Sequence, residues 1–227
     1  MAQDSPRTSI RGSTFIRLLA RLTDADVAPS RSSLSDRLSQ WLDWTHAIAL
    51  STAIDRRAPT DAFDAPAFGD AEAEECARVR ASLADAIKGA GESADADIDY
   101  PAFRQRYLTL QRRMQTATGN LRGRLRDLLA QKTPEMARLA EVDTVMERAL
   151  SPREHMLLAA VPHLLGDHFE RLRKGAQNPP ADAPPTEDIS AGAWLDIFRR
   201  DMQSVLLAEL DVRFQPVEGL LAALRAS

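Results

Sequence analysis

His163 and Asp167 stand four residues apart, a spacing that brings their side chains together on one helical face, while the neighbouring His168 points about 100° away. An imidazole beside a carboxylate can ligate a metal or carry a proton. A metal site needs at least one further ligand, and no other residue in the sequence is nominated for it, so a solvated His–Asp pair is the expected state. His46, three after Asp43, reads the same way, as a hydrogen-bonding pair within its helix. Nucleophilic catalysis finds no support either: there are many serines but no Gly-x-Ser-x-Gly elbow, and no glycine-rich loop follows a strand. The expectation is a non-enzymatic chain with no catalytic residues, no metal and no cofactor.

Cys76 is the single cysteine, so an intramolecular disulfide and cysteine-rich zinc modules are excluded by count. It shares an apolar stripe with Val79 and Leu83, where a thiol packs as a small hydrophobe, a redox role being the alternative. Trp41, Trp44 and Trp194 sit where they can serve the core; one left exposed would become an interface anchor.

The most distinctive pattern is electrostatic. Arg104, Arg106, Arg112, Arg113, Arg122, Arg124, Arg126 and Lys132 face only Asp127 between Pro101 and Lys132, a local net of +7, directly after a segment of −7 from Asp55 to Asp99. On a continuous helix Arg106, Arg113 and Arg124 line one flank of the apolar seam and Arg104, Arg122 and Arg126 the other. A parallel, in-register homodimer would set like charges side by side. Either the acidic helix near Asp70 to Lys88 covers the stripe within the same molecule, or part of it stays open to dock an acidic protein, a nucleic-acid backbone or an anionic lipid surface. Nucleic acid is the weakest of these partners, since no recognition-helix motif or interleaved stacking aromatics accompany the arginines.

The elements that must position these residues are all helices. Across 227 residues, 44% hydrophobic with a formal charge of −4, no period-two strand pattern of useful length occurs and the core is large enough for independent folding. Apolar spacing predicts a short helix after Ser13 (Phe15, Leu18, Leu19, Leu22) and a second from Ser33 with the stripe Leu34, Leu38, Trp41, Thr45 and Ile48. A third carries Cys76, Val79, Leu83 and Ile87. The longest pattern opens at Asp99-Pro101 and runs to about Lys132, with a coiled-coil-like seam of Phe103, Tyr107, Leu110, Met114, Ala117, Leu121, Leu125 and Leu128. Gly119 and Asn120 leave open whether it is continuous or broken; in the continuous case Gly119 and Gly123 lie opposite the seam and permit close backbone approach.

Thr133-Pro134 starts another helix. Ser151-Pro152-Arg153-Glu154 reads as a capping box beginning a new helix to about Lys174, with Leu157 among its core positions and a kink at Pro162. Residues 175–188, with four prolines and no large apolar residue, read as a linker. A C-terminal pair follows, one helix to about Asp211 and a short one restarted by Pro216. The organisation expected is a flexible N-terminus (1–12), a helical bundle (13–174), the linker and the helical pair (189–227): an all-α multi-helix bundle.

The longest stretches without a formal charge, Trp44 to Ile54 and His155 to Gly166, are too short to cross a bilayer, which takes about 20 residues. The N-terminal arginines interrupt any secretory signal core. With one cysteine, a cytoplasmic place is expected, and the arginine-over-lysine bias suits a GC-rich bacterial genome; only peripheral membrane contact remains open.

The pieces STFIRLLARLTDADV (13–27), DRLSQWLDWTHAIALSTAI (36–54), PHLLGDHFERLR (162–173) and ELDVRFQPVEGLLAAL (209–224) resemble, in order and over nearly the whole chain, a family of functionally uncharacterised proteobacterial proteins. The resemblance brings no active-site motif; it implies an accessory to an envelope-associated assembly. The functional expectation is a protein-interaction or scaffold protein, the alternative a nucleic-acid-associated regulator using helix 101–132. The assignment of faces has a direct check in thermal melting. Leu110→Asp, which puts a charge on the apolar seam, should destabilise the fold strongly, and His163→Ala should leave it nearly intact.

Overall fold

The computed structural model describes residues 13–24, 34–55, 70–92, 99–177 and 192–226. Within them the chain forms eight helices: α1 (Thr14–Thr23), α2 (Leu34–Trp41), α3 (Trp44–Asp55), α4 (Ala71–Glu92), α5 (Tyr100–Ala130), α6 (Pro134–Ala159), α7 (Val161–Gln177) and α8 (Ala193–Ala226). No strand occurs among the described residues, so the all-α bundle is the fold. The N-terminal segment 1–12 and residues 178–191 of the linker region lie outside them.

Helix α5 is the axis. It packs against α4, α6, α7 and α8, and its 31 residues run unbroken through Gly119 and Gly123. Its buried residues are Phe103, Tyr107, Leu110, Met114, Thr118, Leu121, Leu125 and Leu129, at steps of four, three, four, four, three, four and four. That repeat of eleven keeps nearly straight-helix phase, so the seam drifts off the heptad positions Ala117 and Leu128 onto Thr118 and Leu129. The Thr118 hydroxyl is accommodated inside by donating to the Met114 carbonyl at 2.9 Å.

Proline behaves differently from the sequence expectation at three places. The C-terminal pair is one helix: α8 spans 34 residues with Pro216 in its interior. A proline there lacks one backbone donor, but both halves carry one apolar stripe, Val205 and Leu206 before it and Val217, Leu220 and Leu224 after it, all buried. Across the proline, Arg80 of α4 binds Asp211 at 2.7 Å and also Glu218, with its guanidinium 5.4 Å from the centre of the Phe214 ring. Helix α6 likewise continues through Pro152, so Ser151 caps nothing, and Leu157 is exposed while Leu158 is buried. The break comes at Ala160, whose carbonyl accepts from the amides of His163 and Leu164. Pro162 therefore sits in the first turn of α7, where a missing N–H is harmless, and does not kink a helix.

The core has an aromatic end and a polar centre. At the start of α5 and α8, Phe103, Phe169 and Phe198 stack edge-to-face or tilted at 5.0 to 6.0 Å between ring centres, and Trp194 joins Phe169 at 5.1 Å. Tyr100 closes this end, its hydroxyl donating to the Pro162 carbonyl and its ring lying over Gly166, where an added Cβ would come within 2.9 Å.

Midway along the bundle, Glu209 of α8 is 0% exposed. Its carboxylate accepts from the Tyr107 hydroxyl at 2.5 Å, the Gln111 amide at 3.1 Å and Arg213 Nε at 2.8 Å. Gln111 also donates to the Leu158 carbonyl at 3.2 Å, and Arg213 reaches Glu154 of α6 at 3.3 Å. Burial first, and then the adjacent Glu209 charge, push the Tyr107 hydroxyl well above its ordinary range.

Removing one partner of this group leaves a charge in the interior. Arg213→Met should cost about 3–5 kcal/mol in urea unfolding and Tyr107→Phe about 1–3 kcal/mol. Tyr107 stays protonated in the folded chain while the unfolded tyrosine loses its proton near pH 10. The unfolded state then binds fewer protons, so stability from this group is intact below about pH 10 and declines above it. Melting temperature measured through that range should fall less steeply in Tyr107→Phe.

Candidate functional site

The histidines do not converge. His163 and Asp167 are 3.9 Å apart, with side chains 85% and 62% exposed, a solvated pair on the outside of α7. His168 faces inward and meets Asp201 of α8 at 2.9 Å, where Arg21 of α1 approaches the same carboxylate at 3.7 Å. This ties three helices together. Asp43 caps α3: its Oδ1 accepts from the His46 amide at 2.8 Å, and that bond leads the causes holding its carboxyl below the usual range. Among the described residues no group of three His, Cys, Asp or Glu side chains could hold a metal ion. Cys76 is buried on α4, and desolvation raises its thiol above the ordinary value, away from the reactive thiolate.

The seven arginines of α5 separate into groups with different partners. Arg122 lies against α6, forming a two-pronged pair with Asp143 at 2.7 and 2.8 Å and a longer contact with Glu147 at 3.5 Å. Arg126 joins them through Glu147 at 2.6 Å and Thr144 at 3.3 Å. Each of these guanidiniums is less than a fifth exposed. On the opposite flank Arg124 pairs with Glu75 of α4, and Arg113 donates to Ser82 at 3.2 Å. Arg106 is half-buried, and Arg104 and Arg112 are exposed. The acidic helix α4 thus covers part of the stripe, and α6, whose Asp143 and Glu147 fall one helical turn apart, takes the greater share.

A different surface is open. Helix α3 packs on α6, with Ala53 fully buried and His46, Ala49 and Leu50 partly covered. Its other side mixes apolar and polar residues: Trp44 is 81% exposed, Ile48 51% and Ile54 50%, alongside exposed Thr45, Ser51, Thr52 and Asp55. On α6, Leu139, Met156 and Leu157 are exposed as well. Six of the eight large hydrophobics exposed among the described residues therefore belong to these two helices. The expected core positions Thr45 and Ile48 face outward because the helix predicted from Ser33 ends at Trp41 and Asp43 starts a new one with a new phase. The cap is readable as an Asp before an apolar run, a signal outweighed by the stripe that the sequence carries through it. Of the other tryptophans, Trp41 lies under the Arg153 guanidinium at 4.6 Å and Trp194 packs on Phe169.

Residues 1–226 match the model of a family described as a protein of unknown function, DUF3348. No curated protein and no solved structure matches the chain.

The division of the arginines has a measurable consequence. Arg122→Ala leaves Asp143 with only the longer 3.7 Å contact to Arg126 and should cost about 1–3 kcal/mol, while Arg104→Ala should stay within about 0.5 kcal/mol of the parent in chemical denaturation.

Proposed function

The chain belongs to the DUF3348 family, and from its geometry we propose that it is a non-enzymatic interaction protein that docks an apolar helix of a protein partner on the α3–α6 face. The observation that carries this is Trp44, 81% exposed one turn before Ile48, itself 51% exposed, on a helix whose opposite side is covered by α6. Trp44 and Ile48 form an exposed apolar patch at the start of α3, of the kind that receives a partner helix with a tryptophan as anchor. Exposed apolar residues scattered singly need no explanation, but Trp44 and Ile48, one turn apart and both more than half exposed, do.

The pairing of Arg122, Arg124 and Arg126 with carboxylates of the same chain supports a protein partner over a nucleic-acid backbone. Charges already matched release few counterions on binding phosphate. A reducing cytoplasmic setting belongs to the same proposal, supported by the buried free thiol of Cys76.

The triple substitution Trp44→Ser, Ile48→Ser, Met156→Ser tests the surface. These side chains contribute little to the core, so circular dichroism and melting temperature should stay close to the parent. A stoichiometric protein that co-purifies with the parent should be lost from the variant. A parent that purifies alone from its native lysate, or a partner retained by the variant, contradicts the proposal. Titration with random duplex DNA at low salt should give a flat response.

A further inference from the structure

Opposite its apolar seam, α5 presents Arg112, Thr116, Gly119, Gly123 and Asp127 on one face, all exposed except the half-buried Gly123. A groove of about 670 Å³ opens along it beside α4, with Glu75, Val79, Gly119, Gly123, Arg124 and Asp127 in its lining. A Cβ built on either glycine meets nothing within 4 Å. The fold of one chain therefore gains nothing from glycine there, and each weakens the helix relative to alanine. What glycine does offer is a closer approach of a second backbone.

The charges at the two ends of this face say which backbone. Arg112 and Asp127 make no ion pair among the described residues, and they are separated by fifteen positions, about 22 Å along a helix. The face thus runs from a cation through small residues to an anion. Rotation by two-fold symmetry about a point between Gly119 and Asn120 lays Arg112 of each copy beside Asp127 of the other. A parallel pairing would instead set Arg112 on Arg112 and Asp127 on Asp127. Arg122 and Arg126 are turned toward α6, and Arg124, at the edge of the groove, is paired with Glu75.

We propose that this α5 face is the contact of a two-fold homodimer, with two copies crossing antiparallel at their glycines and closed by reciprocal Arg112–Asp127 pairs. The contact is separate from the α3–α6 face, so each copy keeps that surface open.

Sedimentation equilibrium of the full chain tests it. The parent should show a monomer–dimer equilibrium that weakens with added salt. Arg112→Asp or Asp127→Arg alone should raise the dimer Kd on the order of tenfold, since each reversal acts twice, and the double variant should recover the parent value because both pairs are restored. Gly119→Gln should abolish the dimer while the melting temperature of the monomer holds or rises, which separates lost contact from lost folding. A parent that is monomeric at every concentration overturns the proposal, as does a dimer untouched by either reversal or singles not rescued by the double variant. A dimer dispersed by Trp44→Ser but not by Arg112→Asp overturns it too, by placing the contact on α3.

Discussion

A carboxylate with no access to water is the constraint around which this bundle is arranged. Glu209 is held by groups from two helices, Tyr107 and Gln111 on α5 and Arg213 on α8, and through Gln111 and Arg213 it reaches the end of α6. A buried charge is tolerated only when it is paired and its remaining lone pairs are bonded. Sliding α5 by a turn against α8 would keep apolar residues facing one another, but it would take Tyr107 and Gln111 away from Glu209. Hydrophobic burial supplies most of the favourable free energy, and the polar group narrows the choice of register.

Two further polar clamps act on the same principle at the weak points of the helices. Arg80 joins Asp211 to Glu218 across Pro216, where α8 lacks a backbone donor. Tyr100 bonds the carbonyl of Pro162 at the α6–α7 break and occupies the space left by Gly166. Each places a side chain of another helix against backbone that its own helix supports less well. Much of the charge in the sequence is used this way, between helices of one chain, and the surfaces proposed for other molecules lie elsewhere among the described residues, on the uncovered side of α3 with α6 and on the glycine face of α5.

Helical class, the long central element and most core residues were legible because apolar side chains three and four apart have one physical explanation, and in α4 the stripe Cys76, Leu83 and Ile87 is buried as read. Proline was the poor guide. Pro152 and Pro216 lie inside helices, where tertiary contacts outweigh the single bond a proline removes, and Pro162 begins one, where no bond is lost. The surfaces were harder still. The arginines of α5 announced themselves by number, yet what each one does depends on Asp143, Glu147 and Glu75, residues that sequence distance does not connect to them. Glu209 gave no warning beyond an i, i+4 spacing with Arg213, which any solvated helix also shows. The open face of α3 was hidden by a phase error at Asp43, since a cap that restarts a helix rotates every later residue to a new side.

Hydrogen exchange of backbone amides under native conditions tests most directly whether α5 and α8 form one cooperative unit through Glu209 while α3 is a satellite on α6. Amides of residues 107–121 and 205–214 are expected to exchange last and together, at the free energy of global unfolding, with residues 44–55 opening earlier. Protection of α3 equal to that of α5, or α5 opening independently of α8, would contradict it.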